Sequence, residues 1–448
     1  PTRSFSSVGI AAADESADVF LTSYGMVTRD VEKFVDNQVF SCMILDEAQQ
    51  IKNYNTQISK AVKRMGEAIG STRVALSGTP VENKLSDLHS QFEFILPGYL
   101  ANSRAEFERE FSKPITAGTG PEKQRLLQRM IQPFVMRRLK TDPNIAADLP
   151  DKVEQTYDCE LAVGQASLYK AVQESEFAGM ADRAAGENPA QAAFARRGRV
   201  LAMMHALREV CNHPANLKPV RWPVSVPEDR RPERISVEAS GKCVVLQDIL
   251  SGVIANGEKA IIFCQYIETI KILDEQIRAN FNCVPLMFIG AMDREARDQA
   301  VHDFQTREEN SVMLLSIMAG GVGITLTAAT HVIHFDRCYN PAKENQATDR
   351  AHRIGQTRTV FVHRLVTKGT FEERLGEIMA KRQNLSDITV QAGEGWIADL
   401  NDGELRDLFS LKSADTTPKR ASASSSSGDG GDAAAAKRRR SLLERCLQ

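Results

Sequence analysis

Two adjacent carboxylates follow directly on an apolar run and are the first residues that could do chemistry. Asp46-Glu47-Ala48-Gln49 comes after Phe40–Leu45. A nucleotide hydrolase needs one carboxylate at a strand end to hold Mg²⁺ through its water shell. It needs a second carboxylate to orient or deprotonate the attacking water. Acids are also favoured where helices begin, so the pair taken alone is better explained as a helix N-terminus.

A second polar turn, Ser77-Gly78-Thr79-Pro80, follows the short apolar run Arg73–Leu76. A Ser/Thr turn at a strand end can sense the state of a phosphate or touch a nucleic-acid backbone. Taken alone, it is better explained as an ordinary Gly-Pro turn. The carboxylate motif and this turn, in this order and at this spacing, are much harder to explain as a helix start and an ordinary turn.

A glycine-rich turn, Ala319–Gly323, follows the apolar strand Val312–Ser316. Glycines let the backbone approach a phosphate or a sugar closely, although a tight strand-to-helix turn is the usual explanation. Downstream, Gln346, Arg350 and Arg353 are spaced to share one helical face. Two arginines there could stabilise the charge that develops in phosphoryl transfer. The alternative is a solvated charged face with an Asp349–Arg353 pair.

These residues need strands to position them, and the sequence supplies two sets. Buried strands are predicted in the first set at Ala17–Tyr24, Phe40–Leu45 and Arg73–Leu76. The second set is Lys259–Cys264, Val284–Ile289, Val312–Ser316, His331–Phe335 and Thr359–Leu365. Helical patterns separate the strands, which predicts α/β layers with parallel sheets whose ligands bind at the carboxyl ends of the strands. Between the two sets, helical periodicity dominates, as in Ala192–Val210.

Composition sets wide limits on the class of protein. The chain has 448 residues, 42% hydrophobic and 25% charged, with a formal net charge of −2, so any basic surface must be local. Its 8 cysteines form no C-x-x-C pair, which is typical of a reducing compartment. No apolar run is long enough for a transmembrane helix, and no signal peptide is visible. Pro1 suggests that the true start lies upstream.

Five regions are predicted from these patterns: residues 1–100, 101–240, 241–395, 396–413 and 414–448. The first is the remainder of an N-terminal α/β lobe, and the second holds helical insertions and an inter-lobe linker. The third is a C-terminal α/β lobe, followed by a C-terminal helix. The last is a disordered tail rich in Ser, Gly, Asp and Ala that ends in the basic run Lys437–Arg440.

Taken together, the motifs resemble the Snf2 family of superfamily 2 helicase-like ATPases. They are DEAQ (46–49), SGTP (77–80), IIFCQY (261–266), GAMDREARDQAVHDFQ (290–305) and LLSIMAGGVGITLTAATHVIHFDRCYNPAKENQATDRAHRIGQ (314–356). The resemblance covers about residues 17–410, and RAHRIGQ is its most specific segment. RRLKTDPNIAADLPDK (137–152), CNHPA (211–215) and GEGWIADLNDGELRDLF (393–409) look most like the bacterial and archaeal-type group.

The resemblance implies two RecA-like lobes that bind ATP and Mg²⁺ between them. The implied catalytic and nucleotide-binding residues are Asp46, Glu47, Gln49, Gly321, Gly323, Gln346, Arg350 and Arg353. Asp46 would hold Mg²⁺ through water, and Glu47 would activate the attacking water. Arg350 and Arg353 would be arginine fingers that reach across the cleft.

Family members grip one strand of duplex DNA by its phosphates, so the resemblance also implies double-stranded DNA or a nucleoprotein as partner. Thr79, Gln265 and Thr325 would contact DNA or couple the lobes. Such binding should be sensitive to salt and tolerant of sequence. The expected outcome is translocation on duplex DNA that remodels chromatin or another protein–DNA complex. An RNA helicase is disfavoured because RAHRIGQ belongs to the Snf2 branch.

Two departures from the family pattern limit these expectations. The 448 residues contain no G-x-x-x-x-G-K-[ST] phosphate loop, and Ser240-Gly241-Lys242-Cys243 is better explained as a helix start. Motifs I and Ia are therefore absent, and this chain alone is expected to hydrolyse ATP very poorly. Thr325 also replaces the Asn that relatives usually have. The alternative function is an ATPase-dead module, cut short at its N-terminus, that binds DNA or a partner.

Two further segments contain residue types that can bind ligands or partners. Cys211-Asn212-His213 lacks a partner pair at zinc spacing and favours structural packing over a metal site. The basic run Lys437–Arg440, with Lys419-Arg420, fits a nuclear localisation signal and a solvated tail equally well. The expected location is the nucleus if the organism is eukaryotic and the cytoplasm or nucleoid otherwise.

Overall fold

A computed structural model describes most of the first 411 residues. The described residues are 2–4, 18–37, 40–69, 72–78, 85–136, 138, 140, 148–181, 189–317, 323–338, 340–385, 397 and 400–411. Thr79, Gly321 and the predicted tail at 414–448 lie outside them, so the predictions for these positions stay predictions.

The first lobe contains two small parallel sheets and three longer helices. Its strands are β1 (Thr2–Ser4) paired with β2 (Val19–Leu21), and β3 (Cys42–Leu45) paired with β4 (Thr72–Ala75). Its helices are α1 (Tyr24–Asn37), α2 (Gln57–Ile69) and α3 (Leu85–Ile95). The predicted strand Ala17–Tyr24 is therefore too long. The Ser23 hydroxyl accepts a hydrogen bond from the Met26 amide, and α1 begins at Tyr24.

The apolar face of α2 builds the core of this lobe. Val62, Met65 and Ile69 are buried, at the spacing of one helical face. Gly66 faces α3, where a Cβ atom would lie 2.9 Å from the Phe94 ring. The glycine therefore allows the close contact between α2 and α3 that supports β3 and β4.

Short and long helices fill most of the region between the lobes. They are α4 (Arg104–Phe107), α5 (Lys113–Thr116), α6 (Pro121–Ile131), α7 (Val163–Ala181) and α8 (Pro189–Asn212). The predicted helix Ala192–Val210 lies inside α8 and is confirmed. One element in this region was not predicted, the strand β5 (Lys152–Cys159), which pairs in parallel with the second lobe.

The second lobe contains a six-stranded, all-parallel sheet. Its other strands are β6 (Ala260–Cys264), β7 (Leu286–Phe288), β8 (Val312–Ser316), β9 (His331–His334) and β10 (Val360–Thr367). The spatial order is β5-β10-β9-β6-β8-β7. Every residue of β6 and β8 is buried, as expected for parallel strands covered by helices on both faces. The predicted α/β class is confirmed.

Among the described residues, six helices follow in this part of the chain. They are α9 (Gly241–Ala255), α10 (Ile267–Phe281), α11 (Arg294–Thr306), α12 (Pro341–Thr348), α13 (Phe371–Leu385) and α14 (Asp402–Phe409). Ser240 caps α9 by accepting a hydrogen bond from the Cys243 amide, so the prediction that Ser240–Cys243 starts a helix is confirmed. Within the described part of the chain, no helix has the length and apolar character needed to cross a membrane.

Candidate active site

The carboxylate pair lies where β3 ends. The Asp46 carboxylate accepts a hydrogen bond of 2.9 Å from the Glu47 amide. Glu47 has φ 51° and ψ 50°, the left-handed conformation that non-glycine residues seldom adopt. Asp46 is exposed whereas Glu47 is half-buried. The two adjacent acids therefore meet different environments, which suits a division of roles between them.

Two amides from different lobes hold the Glu47 carboxylate. Gln49 Nε2 donates to Glu47 Oε2, and Gln346 Nε2 donates to Glu47 Oε1 over 3.4 Å. Gln49 Oε1 in turn accepts a 2.8 Å hydrogen bond from Ser77 Oγ. The DEAQ motif is thus joined to the SGTP turn within the first lobe and to α12 of the second lobe.

Tyr24 lies beside the carboxylates and was not predicted as a site residue. Its hydroxyl donates a 2.7 Å hydrogen bond to the backbone carbonyl of Asp46. Burial, together with the negative charges of Asp46 and Glu47, raises the pKa of Tyr24 to about 12. Tyr24 is therefore a neutral donor that fixes the end of β3. The only signal in the sequence was its position at the end of an apolar run.

The predicted single helical face for Gln346, Arg350 and Arg353 is wrong. Helix α12 ends at Thr348, and the two arginines lie in the turn that follows, here called the arginine turn (Asp349–Arg353). The Arg350 carbonyl accepts a 2.8 Å hydrogen bond from the Leu326 amide instead of continuing the helix. This contact with a distant segment overrides the helical periodicity of the sequence.

Arg350 nevertheless interacts electrostatically with Glu47 of the first lobe. Its side chain is buried, with 6% exposed, and Arg353 is exposed. Burial lowers the pKa of the Arg350 guanidinium, and the nearby positive charge of Arg353 lowers it further, while Glu47 and Asp349 raise it. Arg350 is therefore within electrostatic range of both Arg353 and the Glu47 carboxylate of the first lobe.

Three further predicted residues are described, and their environments differ. Gly323 and Thr325 are exposed, and a Cβ atom at Gly323 would meet open space. Gln265 bonds within the protein, because its Oε1 accepts from Arg208 over 3.2 Å and its Nε2 donates to the Arg337 carbonyl. The predicted DNA contacts of Gln265 and Thr325 stay predictions.

Behind these elements lies a buried polar network that the sequence did not reveal. It consists of Arg208, Asn212, Lys242, Gln265, Asp336 and Glu372. Asn212 is central, since its Nδ2 donates to Asp336 over 2.8 Å and its Oδ1 accepts from Lys242 over 3.2 Å. Lys242 also pairs with Glu372 at 2.9 Å, and both side chains are fully buried. The network joins α8, α9 and α13 to loops at the carboxyl ends of the sheet strands.

Two segments of the sequence could have indicated ligand sites, but their side chains have structural partners within the protein. Lys242 is an internal counter-ion and not a phosphate-loop lysine, because its ammonium is fully buried against Glu372. His213 bonds the Ser236 carbonyl through Nε2 and the Ala215 amide through Nδ1. Both ring nitrogens of His213 thus have structural partners, in line with the packing role expected for this segment.

The donor set at Asp46 fits a Mg²⁺ ion that arrives with a nucleotide. No group of three or more His, Cys, Asp or Glu side chains among the described residues is placed to hold a metal. Mg²⁺ in nucleotide sites keeps several waters and binds one or two carboxylates together with phosphates. A single exposed carboxylate at a strand end meets that requirement, and Asp46 is the residue that would hold the ion.

Two family models match the sequence: an SNF2-related domain over residues 6–216 and a helicase conserved C-terminal domain over residues 241–355. The solved Sulfolobus solfataricus SWI2/SNF2 ATPase core in complex with dsDNA is 35% identical. The match covers 92% of this chain and 81% of that chain, with a TM-score of 0.49. The chain belongs to the Snf2 family. The family predicted from the motifs is thus confirmed.

Longer relatives contain a region similar to this Snf2 chain. YwqA of Bacillus subtilis is 37% identical over 404 residues, which are 90% of this chain and 41% of YwqA. The TATA-binding protein-associated factor 172 of Homo sapiens is 30% identical over 434 residues, covering 88% of this chain and 23% of that protein. The chain thus spans about two fifths of the first relative and under a quarter of the second.

Proposed function

We propose that this Snf2 chain is the motor region of a DNA-dependent ATPase, which hydrolyses ATP between its lobes and translocates on double-stranded DNA. One observation carries the proposal. Gln346 Nε2 donates to Glu47 Oε1, so residues that are 299 positions apart meet across the two lobes. The negative charge of Glu47 also acts to raise the pKa of the Arg350 guanidinium. Acid and arginine groups that meet in a cleft are what phosphoryl transfer from a nucleotide requires.

The residues divide the hydrolysis between them. Water attacks the γ-phosphorus, the bond to the bridging oxygen breaks, and ADP and phosphate form. Glu47 orients the water and accepts its proton, and the amides of Gln49 and Gln346 fix the carboxylate for that role. Arg350 and Arg353 stabilise the charge that develops on the phosphoryl oxygens. Asp46 would hold the Mg²⁺ that accompanies the nucleotide.

Duplex DNA is the proposed substrate. The Sulfolobus relative, 35% identical to this chain, was solved with dsDNA. Contacts with DNA phosphates release counterions, so the affinity for DNA should fall steeply with salt and depend little on sequence. Translocation along the duplex would then displace or remodel proteins bound to it.

The alternative is a module without ATPase activity that binds DNA or a protein partner. The sequence observation behind it is that these 448 residues contain no G-x-x-x-x-G-K-[ST] motif. Such a module would keep the lobe contacts described above and would bind DNA without turning over ATP.

Steady-state ATP hydrolysis separates the two functions. The protein, expressed from its complete reading frame, is assayed with no DNA, with single-stranded DNA and with double-stranded DNA. The motor is expected to turn over faster with duplex DNA, and Glu47→Gln should lower kcat by about 10²–10⁴-fold. Glu32→Gln is the matched control, because Glu32 is an exposed first-lobe acid paired with Arg64. DNA binding without any DNA-stimulated turnover would contradict the motor and support the alternative.

A further inference from the structure

A lysine that was not among the predicted site residues, Lys140 of the segment 137–152, bonds the arginine turn at two points. Lys140 Nζ lies 2.9 Å from Asp349 Oδ1, the residue just before Arg350. The same ammonium donates a 2.8 Å hydrogen bond to the carbonyl of His352, the residue just before Arg353. Both arginines therefore follow directly on a residue that Lys140 holds.

A second contact from the same part of the chain fixes the turn. His352 Nε2 bonds the Pro150 carbonyl over 2.8 Å. Lys140 and Pro150 both belong to the segment that joins α6 of the region between the lobes to β5 of the second-lobe sheet. The turn is thus held at the Asp349 side chain, the His352 carbonyl and the His352 ring, all by one inter-lobe segment.

The positive charge of Lys140 also affects how strongly the Asp349 carboxylate can interact with Arg350. Asp349 is adjacent to Arg350 and interacts with its guanidinium. A carboxylate at that position competes with a phosphate for the arginine. The Lys140 ammonium pairs with the carboxylate at ion-pair distance and thereby weakens its competition with a phosphate for the arginine.

We propose that Lys140 is a positioning residue, which anchors the arginine turn to the inter-lobe segment and keeps Asp349 from pairing with the arginines. The inference rests on the proposed ATPase function, because it concerns the placement of the arginine fingers. It also links the segment between the lobes to the proposed chemistry through the contacts of Lys140 with Asp349 and His352.

Amide hydrogen exchange tests the anchor without any need for turnover. Lys140→Ala in the 448-residue chain should speed exchange at Arg350–Arg353 by about 5–10-fold, because two bonds to the turn are lost. Lys123→Ala is the matched control. Its ion pair with Glu110 is 3.0 Å long and 43%/42% exposed, against 44%/41% for Lys140–Asp349. Unchanged exchange at the turn overturns the proposal, whatever the ATPase assay gives.

Kinetics of the protein from its complete reading frame test the catalytic part. Lys140→Ala should lower kcat about 10-fold, since small misplacement of a catalytic group costs one to two orders of magnitude. KM for ATP and DNA affinity should stay within about 2-fold, and Lys140→Arg should restore most of the loss. Adding Asp349→Ala to Lys140→Ala should cause no further loss.

The outcomes distinguish this proposal from the proposed function. A wild-type protein without DNA-stimulated turnover contradicts the proposed function, and it removes the catalytic role of Lys140 even if exchange rises. An active wild type whose kcat is unchanged by Lys140→Ala contradicts only the positioning role. An equal loss of kcat in Lys140→Ala and Lys123→Ala also contradicts it.

Discussion

The two lobes support the candidate site on very different sheets. In the second lobe, every residue of β6 and β8 is buried within a six-stranded sheet. In the first lobe, the two-stranded sheet of β3 and β4 leaves Ile44 with 62% and Leu76 with 50% exposed. Parallel sheets are normally covered on both faces. Within these 448 residues, the arginines thus belong to a lobe whose inner strands β6 and β8 are fully buried, whereas the carboxylates follow a sheet with one exposed face.

Two charged pairs, one from each lobe, differ strongly in burial. Lys242 and Glu372 in the second lobe are fully buried. Burial lowers the pKa of Lys242, but Glu372 together with Cys211 and Asp336 outweighs burial and raises it. The Arg64–Glu32 pair of the first lobe is 58%/59% exposed. A buried pair is costly to break, while an exposed one contributes little. Breaking the Lys242–Glu372 pair should therefore destabilise the molecule far more than breaking the Arg64–Glu32 pair.

The largest expected effect is on the buried pair. Lys242→Ala leaves the Glu372 carboxylate buried without its counter-ion and should lower the free energy of unfolding by about 3–5 kcal/mol. Arg64→Ala, the control in the first lobe, should change it by less than about 1 kcal/mol. Urea unfolding followed by circular dichroism measures both. Equal effects of the two substitutions would break the comparison between the lobes.

A smaller effect should appear on acidification of the second lobe. Burial and the neighbouring His331 lower the pKa of His363 from 6.5 to about 4. The folded state therefore binds this proton less readily than the unfolded state. Stability is complete above about pH 6.5 and should fall by about 3 kcal/mol as the pH drops towards 4. His363→Gln should flatten the pH profile from urea unfolding, whereas replacing the exposed His302 by Asn should not.

The smallest expected effect comes from removing a single methylene group from one side chain in each lobe. Ile262→Val in β6 removes one methylene from a fully buried side chain and should cost about 0.5–1.5 kcal/mol. Ile44→Val in β3 acts on a side chain that is 62% exposed and should cost less than about 0.5 kcal/mol. Thermal unfolding curves measure the difference. A larger loss at Ile44 would show that its face is covered in solution.

The sequence predicted the inner strands of the second-lobe sheet better than its edge strand β5. β8 has the predicted bounds because Val312–Ser316 is a continuous apolar run, buried on both faces. β5 was missed because Lys152–Cys159 is largely polar and exposed, as expected for a strand at the edge of a sheet. Hydrophobic periodicity carries no signal for a strand that is held mainly by backbone hydrogen bonds.

The sequence predicted which motifs form the candidate site but not how they are arranged in space. The sequence indicated Glu47, Gln346 and Arg350, and the structure brings them together between the lobes. The helix end at Thr348 and the role of Lys140 could not be predicted, because both depend on contacts with distant segments. Short-range patterns do not encode such contacts.

The buried polar network was missed for a related reason. Its members are single polar residues spread from Arg208 to Glu372, and nothing in their spacing links them. One signal was available, a lone lysine in the apolar segment Gly241–Leu246. A charge in such a segment predicts a buried partner, but the sequence cannot say which acid supplies it.

The most direct test of the two-lobed site is ATP turnover by the Arg353→Ala variant in the presence of duplex DNA, with ATP binding measured on the same protein. Arg353 is exposed in the arginine turn, so its loss should not unfold the lobe. We expect kcat to fall by about 10³-fold or more, with ATP affinity within about 3-fold of wild type. Turnover equal to that of wild type would contradict the account.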